Sequence, residues 1–302
     1  MSNDATLSAL SDSLADAVEA ASLAVVRVVC GRRVGSGLAW SSDGHVLCAA
    51  STLARAGAPT VRLHDGAEHP AQVVGVDPAL DLALLKIDAE LQPLPTTDGC
   101  ELRVGAIVLV LGRPGRNIRA SLGLVSSTSG EPWTTPLGSV VDRFVDVDAS
   151  LRPGFEGGPL LDAKGRVVGL NTRGLVRGGT TIPTVTLART ADELATHGTK
   201  ARGWLGVRFE VVSLDDEDQE RTGAARGLLV RKAAPGSPAT DGGVKLGDVL
   251  LSLGDKPLGS WRELAQALCG TADAETPLRV LRGGEVHELA VTPRERPLGL
   301  RC

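Results

Sequence analysis

The 302-residue chain has no tyrosine, only three phenylalanines and a single methionine. So few aromatic rings argue against a sugar-binding cleft, which needs flat apolar platforms. There is no CxxC pair and no HExxH run, and the five cysteines (Cys30, Cys48, Cys100, Cys269 and Cys302) are odd in number. Free thiols are expected rather than a disulfide framework, and neither a metal site nor a cofactor is implied. Cys30 and Cys48 are expected as small buried apolar side chains, with a facing pair on neighbouring strands as the alternative. A basic stripe is also missing: 32 Lys and Arg are scattered among 36 acids, for a net charge of −4, which excludes nucleic acid as the expected partner. No apolar run reaches membrane-spanning length. The N-terminus lacks the basic start and unbroken apolar stretch of a secretory signal, since Asp4, Asp12, Asp16 and Glu19 interrupt it. These absences predict a cytoplasmic protein with no membrane span.

What is present reads as globular. Apolar residues make up 42% and charged residues 23%, with length enough for two domains. Leu7, Leu10, Leu14, Ala17 and Val18 recur at helical spacing, so residues 1–22 are expected to form an amphipathic helix against their own domain or a neighbour. From residue 23, short β-type runs alternate with Gly, Pro, Asp and Ser turns. Six runs (23–30, 37–40, 45–50, 60–64, 71–76 and 82–87) precede a looser stretch at 93–105. Six more follow at 106–112, 119–127, 139–148, 158–162, 166–172 and 181–187. Such spacing predicts two packed β-barrels with a site in the cleft between them.

A short helix at 191–198, closing on Gly198, ends the first domain, 23–199. The character then changes to mixed strand and helix over 200–302. Ser260 and Glu263 predict a capping box at the start of a helix that closes on Gly270. Residues 277–291 predict a hairpin turning on Gly283-Gly284.

The strongest chemical signal is the run Gly154-Phe155-Glu156-Gly157-Gly158-Pro159-Leu160. It resembles the Gly-Asn-Ser-Gly-Gly-Pro-Leu loop of trypsin-like serine proteases, particularly the HtrA (DegP/DegS-type) group. The glycines of such a loop let backbone N–H groups converge into an oxyanion hole. Residues 35–51 are similar to the strand pair carrying that family's catalytic histidine, and residues 73–87 to the segment carrying its aspartate. The implied fold is mainly β: a trypsin-like double six-stranded β-barrel followed by an α+β PDZ domain. Residues 203–293 resemble the PDZ domain that follows the protease in HtrA proteins, with Gly236-Ser237-Pro238-Ala239 and Lys245-Leu246-Gly247-Asp248 in the expected order.

On that frame the triad positions are Ser51, Asp81 and Glu156, with Gly154 and Gly157 in the oxyanion loop. Ser51 stands where the histidine is expected and Glu156 where the nucleophilic serine is expected. A serine hydroxyl needs a base to take its proton, and Ser51 supplies none. The five histidines (His45, His64, His69, His197 and His287) are all expected at turns or on the surface. Two readings of Glu156 stand side by side. In one, its carboxylate fills the oxyanion hole, held by N–H groups of its own loop and by Arg152. In the other it points to solvent. Asp81 and Glu156 as a hydrolytic carboxylate pair is a further alternative.

For the PDZ domain, the resemblance implies that Trp204-Leu205-Gly206-Val207 receives a peptide C-terminus. The following strand, with Val207 and Phe209, and the helix carrying Leu264 and Leu268 would wall the groove, and Arg202 would assist at the terminal carboxylate. Leu205, Val207 and Phe209 are candidates for pocket and core alike. The expected function is that of an HtrA-like pseudoprotease, not an enzyme. It would bind polypeptide C-termini or unfolded segments as a scaffold or chaperone-like protein, the alternative being an active endopeptidase whose triad lies elsewhere. The family also implies homotrimers formed through the N-terminal region, which here lacks the aromatics of a tight contact.

Overall fold

The computed structural model of the chain describes residues 3–53, 57–135, 139–175, 179–199, 203–268 and 271–295, apart from the side chains of residues 3–5, 262 and 295. Arg202, Cys269 and Gly270 therefore lie outside the described residues. Two compact units result, one from the residues up to 199 and one from those after 202.

In the first unit a seven-stranded antiparallel sheet runs Glu68–Pro70, Thr60–Arg62, Val25–Cys30, Arg33–Ala39, His45–Ala49, Leu82–Lys86, Gln72–Asp77. This is one strand more than expected, because the return over 68–70 pairs with Thr60–Arg62 in register. Leu82, Ala83, Leu84 and Leu85 are all buried, since their strand lies between two others and is covered on both faces. The second sheet has six strands, Phe144–Val147, Arg119–Ser129, Ile107–Gly112, Pro159–Asp162, Val167–Thr172 and Thr180–Pro183. Its two outer strands, Phe144–Val147 and Thr180–Pro183, lie against each other, which curls the sheet into a barrel. With aromatics scarce, Val, Leu and Ala fill both cores, and Phe155 is the one aromatic among the fully buried large side chains.

Two local expectations change. Residues 181–187 do not form one strand: the strand ends at Pro183 and a helix, Thr184–His197, begins there. Its β-branched start looks strand-like, but Thr184, Leu187, Thr190, Ala191 and Leu194 are buried at helical spacing, so packing overrides local propensity. Cys30 and Cys48 are not on neighbouring strands, because Arg33–Ala39 runs between theirs. Both are buried and neither is in a disulfide, and burial pushes the Cys48 pKa up.

The N-terminal helix spans Asn3–Ala21. Leu14, Ala17 and Val18 pack on the core and Ala21 is buried, while Leu7 and Leu10 are exposed. Arg113 fixes the exit from this helix, donating from Nε to the Val25 carbonyl (2.7 Å) and from Nη2 to the Ser22 carbonyl (2.8 Å). Among the described residues, no helix is long and apolar enough to cross a membrane.

The second unit centres on a sheet ordered Val207–Ser213, Arg226–Ala233, Val249–Leu253, Thr276–Arg282, Glu285–Val291. Gly283 and Gly284 both take positive φ (59° and 82°), as a two-residue hairpin turn requires. The helix Trp261–Ala267 is capped by Ser260, whose Oγ accepts from the Glu263 N–H (3.3 Å). Glu263 reaches back to the Gly259 N–H (2.7 Å) and the Ser260 hydroxyl rather than to the Ser260 amide. Asp248, buried just before the strand Val249–Leu253, is held by Arg282 through two bonds of 2.7 and 2.8 Å.

Candidate active centre and peptide groove

Asp81 sits in the turn between Gln72–Asp77 and Leu82–Lys86, with φ of 52°, a left-handed conformation that Asp tolerates better than most residues. Ser51 lies in a short 3-10 turn, Ala50–Leu53, directly after the strand His45–Ala49. The two meet closely. The Ser51 N–H donates to Asp81 Oδ1 (2.6 Å) and the Ser51 hydroxyl to Oδ2 (3.1 Å). Thr172 also donates its hydroxyl to Asp81 Oδ2. Gly174 lies so near that an added Cβ would strike the Asp81 carboxylate. Burial raises the Asp81 pKa; the Thr172 and Ser51 hydrogen bonds oppose that shift, and the nearby Glu156 charge adds to it.

Histidine is absent from this network. His45 pairs with Lys86 while Ala49 pairs with Leu82, so His45 is four residues along the strand from the Asp81 end, about 13 Å at the rise of a strand. It bonds instead to Asp43 and Ser41. His69 and His287 are half-buried, and His64 and His197 are exposed; none bonds to Asp81 among the contacts of the described residues.

Glu156 is held by its own loop. Oε2 accepts the Gly154 N–H (2.8 Å), and Oε1 lies 3.3 Å from Arg173 Nη1. The cation is thus Arg173, at the end of a barrel strand, and not Arg152. Arg152 instead offers its carbonyl to the Phe155 N–H (3.0 Å). The loop is tightly built around this contact. Gly154 and Gly157 take φ of 87° and 83°, and an added Cβ would meet Pro114 at 2.5 Å in the first case and the Ser36 carbonyl in the second. Ser36, fully buried, donates its hydroxyl to the Gly154 carbonyl (2.6 Å) and its N–H to the Glu156 carbonyl (2.8 Å). Phe155 anchors the loop by inserting among Val108, Val110, Val125, Val145 and Leu160. Beside it, residues including Leu151, Asn171, Gly179 and Thr180 line a cavity of about 10 Å³, room for one water.

In the second unit, Gly206 has φ of 77° and an added Cβ would strike Ser237, so the turn after Trp204 needs glycine. Leu205 (2% exposed) and Leu264 (6%) belong to the core. Val207, Phe209 and Leu268 are partly buried on that same core. Among the described residues, the strand Val207–Ser213 pairs only with Arg226–Ala233, which leaves its other edge open.

The comparisons with known proteins fit this geometry. Residues 35–170 match a trypsin-like peptidase domain and residues 203–292 a PDZ domain. A "Probable periplasmic serine endoprotease DegP-like" of Pseudomonas putida is 35% identical over 270 residues, covering 86% of this chain and 55% of that protein. The chain spans about half the length of the curated relatives it matches. Among solved structures, the HtrA-type protease AlgW with tripeptide is 32% identical with a TM-score of 0.59, covering 94% of this chain and 97% of that one. The serine endoprotease from Yersinia pestis is 28% identical, with a TM-score of 0.63 and coverage of 93% and 97%. The chain belongs to the HtrA family.

Two expectations are corrected by these relatives. The chain was expected not to be an enzyme, on the strength of two positions. Its relatives are named serine endoproteases and its structural neighbours proteases, so the family's chemistry is endoproteolysis. The cytoplasmic expectation is likewise overturned, as the relatives are named periplasmic. It rested on the acidic N-terminal stretch, which is a helix partly packed on the HtrA fold and carries no information about location.

Sequence reasoning did not reach Thr172, Arg173, Ser36 or Phe155. Ser36, inside Gly35-Ser36-Gly37, carried the faintest trace, as a polar residue between two glycines of a strand.

Proposed function

We propose that this HtrA-type chain recognises polypeptide C-termini or unfolded segments through its PDZ domain, and that the serine–histidine couple of the family is replaced at Ser51 and Glu156. The observation that carries the reading is the open edge of Val207–Ser213 beside the apolar residues Val207, Phe209 and Leu268. An extended peptide would add as a further strand, giving its backbone hydrogen bonds to that edge and its alternate side chains to the apolar surface. The preceding turn, with Gly206 in a left-handed conformation, would present N–H groups to the terminal carboxylate. Solved AlgW with a tripeptide or a decapeptide supports peptide as the ligand class.

At the other centre, Ser51 gives Asp81 two hydrogen bonds but cannot act as an imidazole, and Glu156 has no hydroxyl to activate. The pseudoprotease reading, with scaffold or chaperone-like use, rests on these two replacements. A second reading, endoproteolysis, is favoured by the relatives' names and requires a nucleophile outside the Gly154–Gly158 loop.

Hydrogen exchange on the full chain tests the PDZ reading. A saturating ten-residue peptide with a free apolar C-terminus should slow exchange across 207–213. Unchanged exchange there with slowing elsewhere would move the site off this edge.

A further inference from the structure

The contacts of Glu156 describe a binding site already filled. Its carboxylate has an N–H donor on one oxygen, Gly154 at 2.8 Å, and a guanidinium on the other, Arg173 at 3.3 Å. That is the donor set a free carboxylate seeks: a backbone amide together with a cation. The backbone that carries the donors is held independently of the glutamate side chain. Gly154 is held through its carbonyl by the buried Ser36 hydroxyl, and its positive φ leaves no room for a Cβ beside Pro114. Phe155, the next residue, is buried in the second core. Arg173 directly follows Thr172, whose hydroxyl is bound to Asp81. Asp81, the other carboxylate nearby, is engaged by Ser51 and Thr172 and leaves Gly154 and Arg173 to Glu156. The glutamate side chain is 20% exposed, so the cradle lies within reach of solvent.

We propose that the Gly154 amide and the Arg173 guanidinium form a carboxylate-binding cradle, occupied by Glu156 as an internal ligand, that binds a free carboxylate once that side chain is removed. Glu156 then acts as a built-in competitor at the point where this family's loop would stabilise an oxyanion. The inference is independent of peptide recognition by the PDZ domain, and its test involves no PDZ ligand.

The probe is sodium formate, titrated against the full chain as wild type, Glu156→Ala and Glu156→Gln, with chloride as the control at equal ionic strength. Glu156→Ala should show a saturable rise in Tm of about 2–4 °C once formate exceeds its Kd roughly fivefold. Wild type and Glu156→Gln, whose side chains still fill the space, should show no formate-specific rise. Adding Arg173→Gln to Glu156→Ala should weaken the response. The Gly154 amide proton gives a second readout that does not depend on unfolding. It should lie downfield in wild type, move upfield in Glu156→Ala and return as formate is added. A Gly154 amide indifferent to both changes overturns the proposal. So does a Glu156→Ala protein that responds equally to formate and chloride, or to neither.

Discussion

The two candidate sites handle their polar groups in opposite ways. Around Asp81 and Glu156, charged and polar groups are satisfied from within: Ser51 and Thr172 on one carboxylate, Gly154 and Arg173 on the other. Along Val207–Ser213 an edge of backbone N–H and C=O groups is left for another chain to satisfy. An inward-satisfied site is stable without a ligand and resists one, whereas an open strand edge gains from each ligand strand it pairs with. A shared family frame therefore does not fix how each site is used. The residues that terminate or leave open its hydrogen bonds do.

The largest effect should come from undoing the closed centre. Ser51→His with Glu156→Ser together should raise labelling by a serine-directed fluorophosphonate by roughly 10³-fold or more over wild type, the scale of an assembled triad and oxyanion hole. Either single change should do far less, because the residues act as a unit. No gain from the pair would mean that the loop no longer supports an oxyanion.

Next in size is the loop anchor. Phe155→Ala should cost about 3–5 kcal/mol of stability, the range for emptying an aromatic site in a packed core, read from urea unfolding of the first unit's transition. Peptide binding by the second unit should survive it. The comparison sharpens further with Phe209→Ala, which should weaken peptide binding about 5–30-fold, equivalent to about 1–2 kcal/mol, with fluorophosphonate labelling of the restored double variant unaffected.

The smallest effect is a pH dependence. Burial holds the Asp81 pKa above the usual aspartate value. The folded form therefore keeps a proton that the unfolded chain gives up. Stability from this source is full below the unfolded pKa and is lost as pH rises through the folded one. Asp81→Asn does not titrate, so its stability relative to wild type should climb as pH rises from about 4 through that window. A difference that stays flat with pH would contradict the raised value.

Much of this centre was legible in the sequence, and what was missed has one cause. Glycine runs and turn residues act locally, so the loop at 154–158 and the Asp81 segment could be located by the resemblance of short motifs to those of the family. Thr172, Arg173 and Ser36 could not, because they reach the site across long sequence separations: Thr172 meets Asp81 91 residues away and Ser36 meets Gly154 118 away. Arg152 was the natural partner for Glu156 by proximity in the chain, but the strand Val167–Thr172 delivers Arg173 instead. The helix start at Thr184 escaped for a related reason, since its burial pattern depends on the barrel it packs against. In the PDZ domain the Ser260 N-cap and the Gly283-Gly284 turn are local and were readable. Which of Leu205, Val207 and Phe209 face the core was not.

The most direct test is calorimetric titration of the full chain with one apolar ten-residue peptide in two forms, free acid and C-terminal amide. Recognition of a C-terminus predicts that the amide binds at least tenfold more weakly, a loss of about 1.4 kcal/mol or more. Equal affinity for the two forms would contradict it.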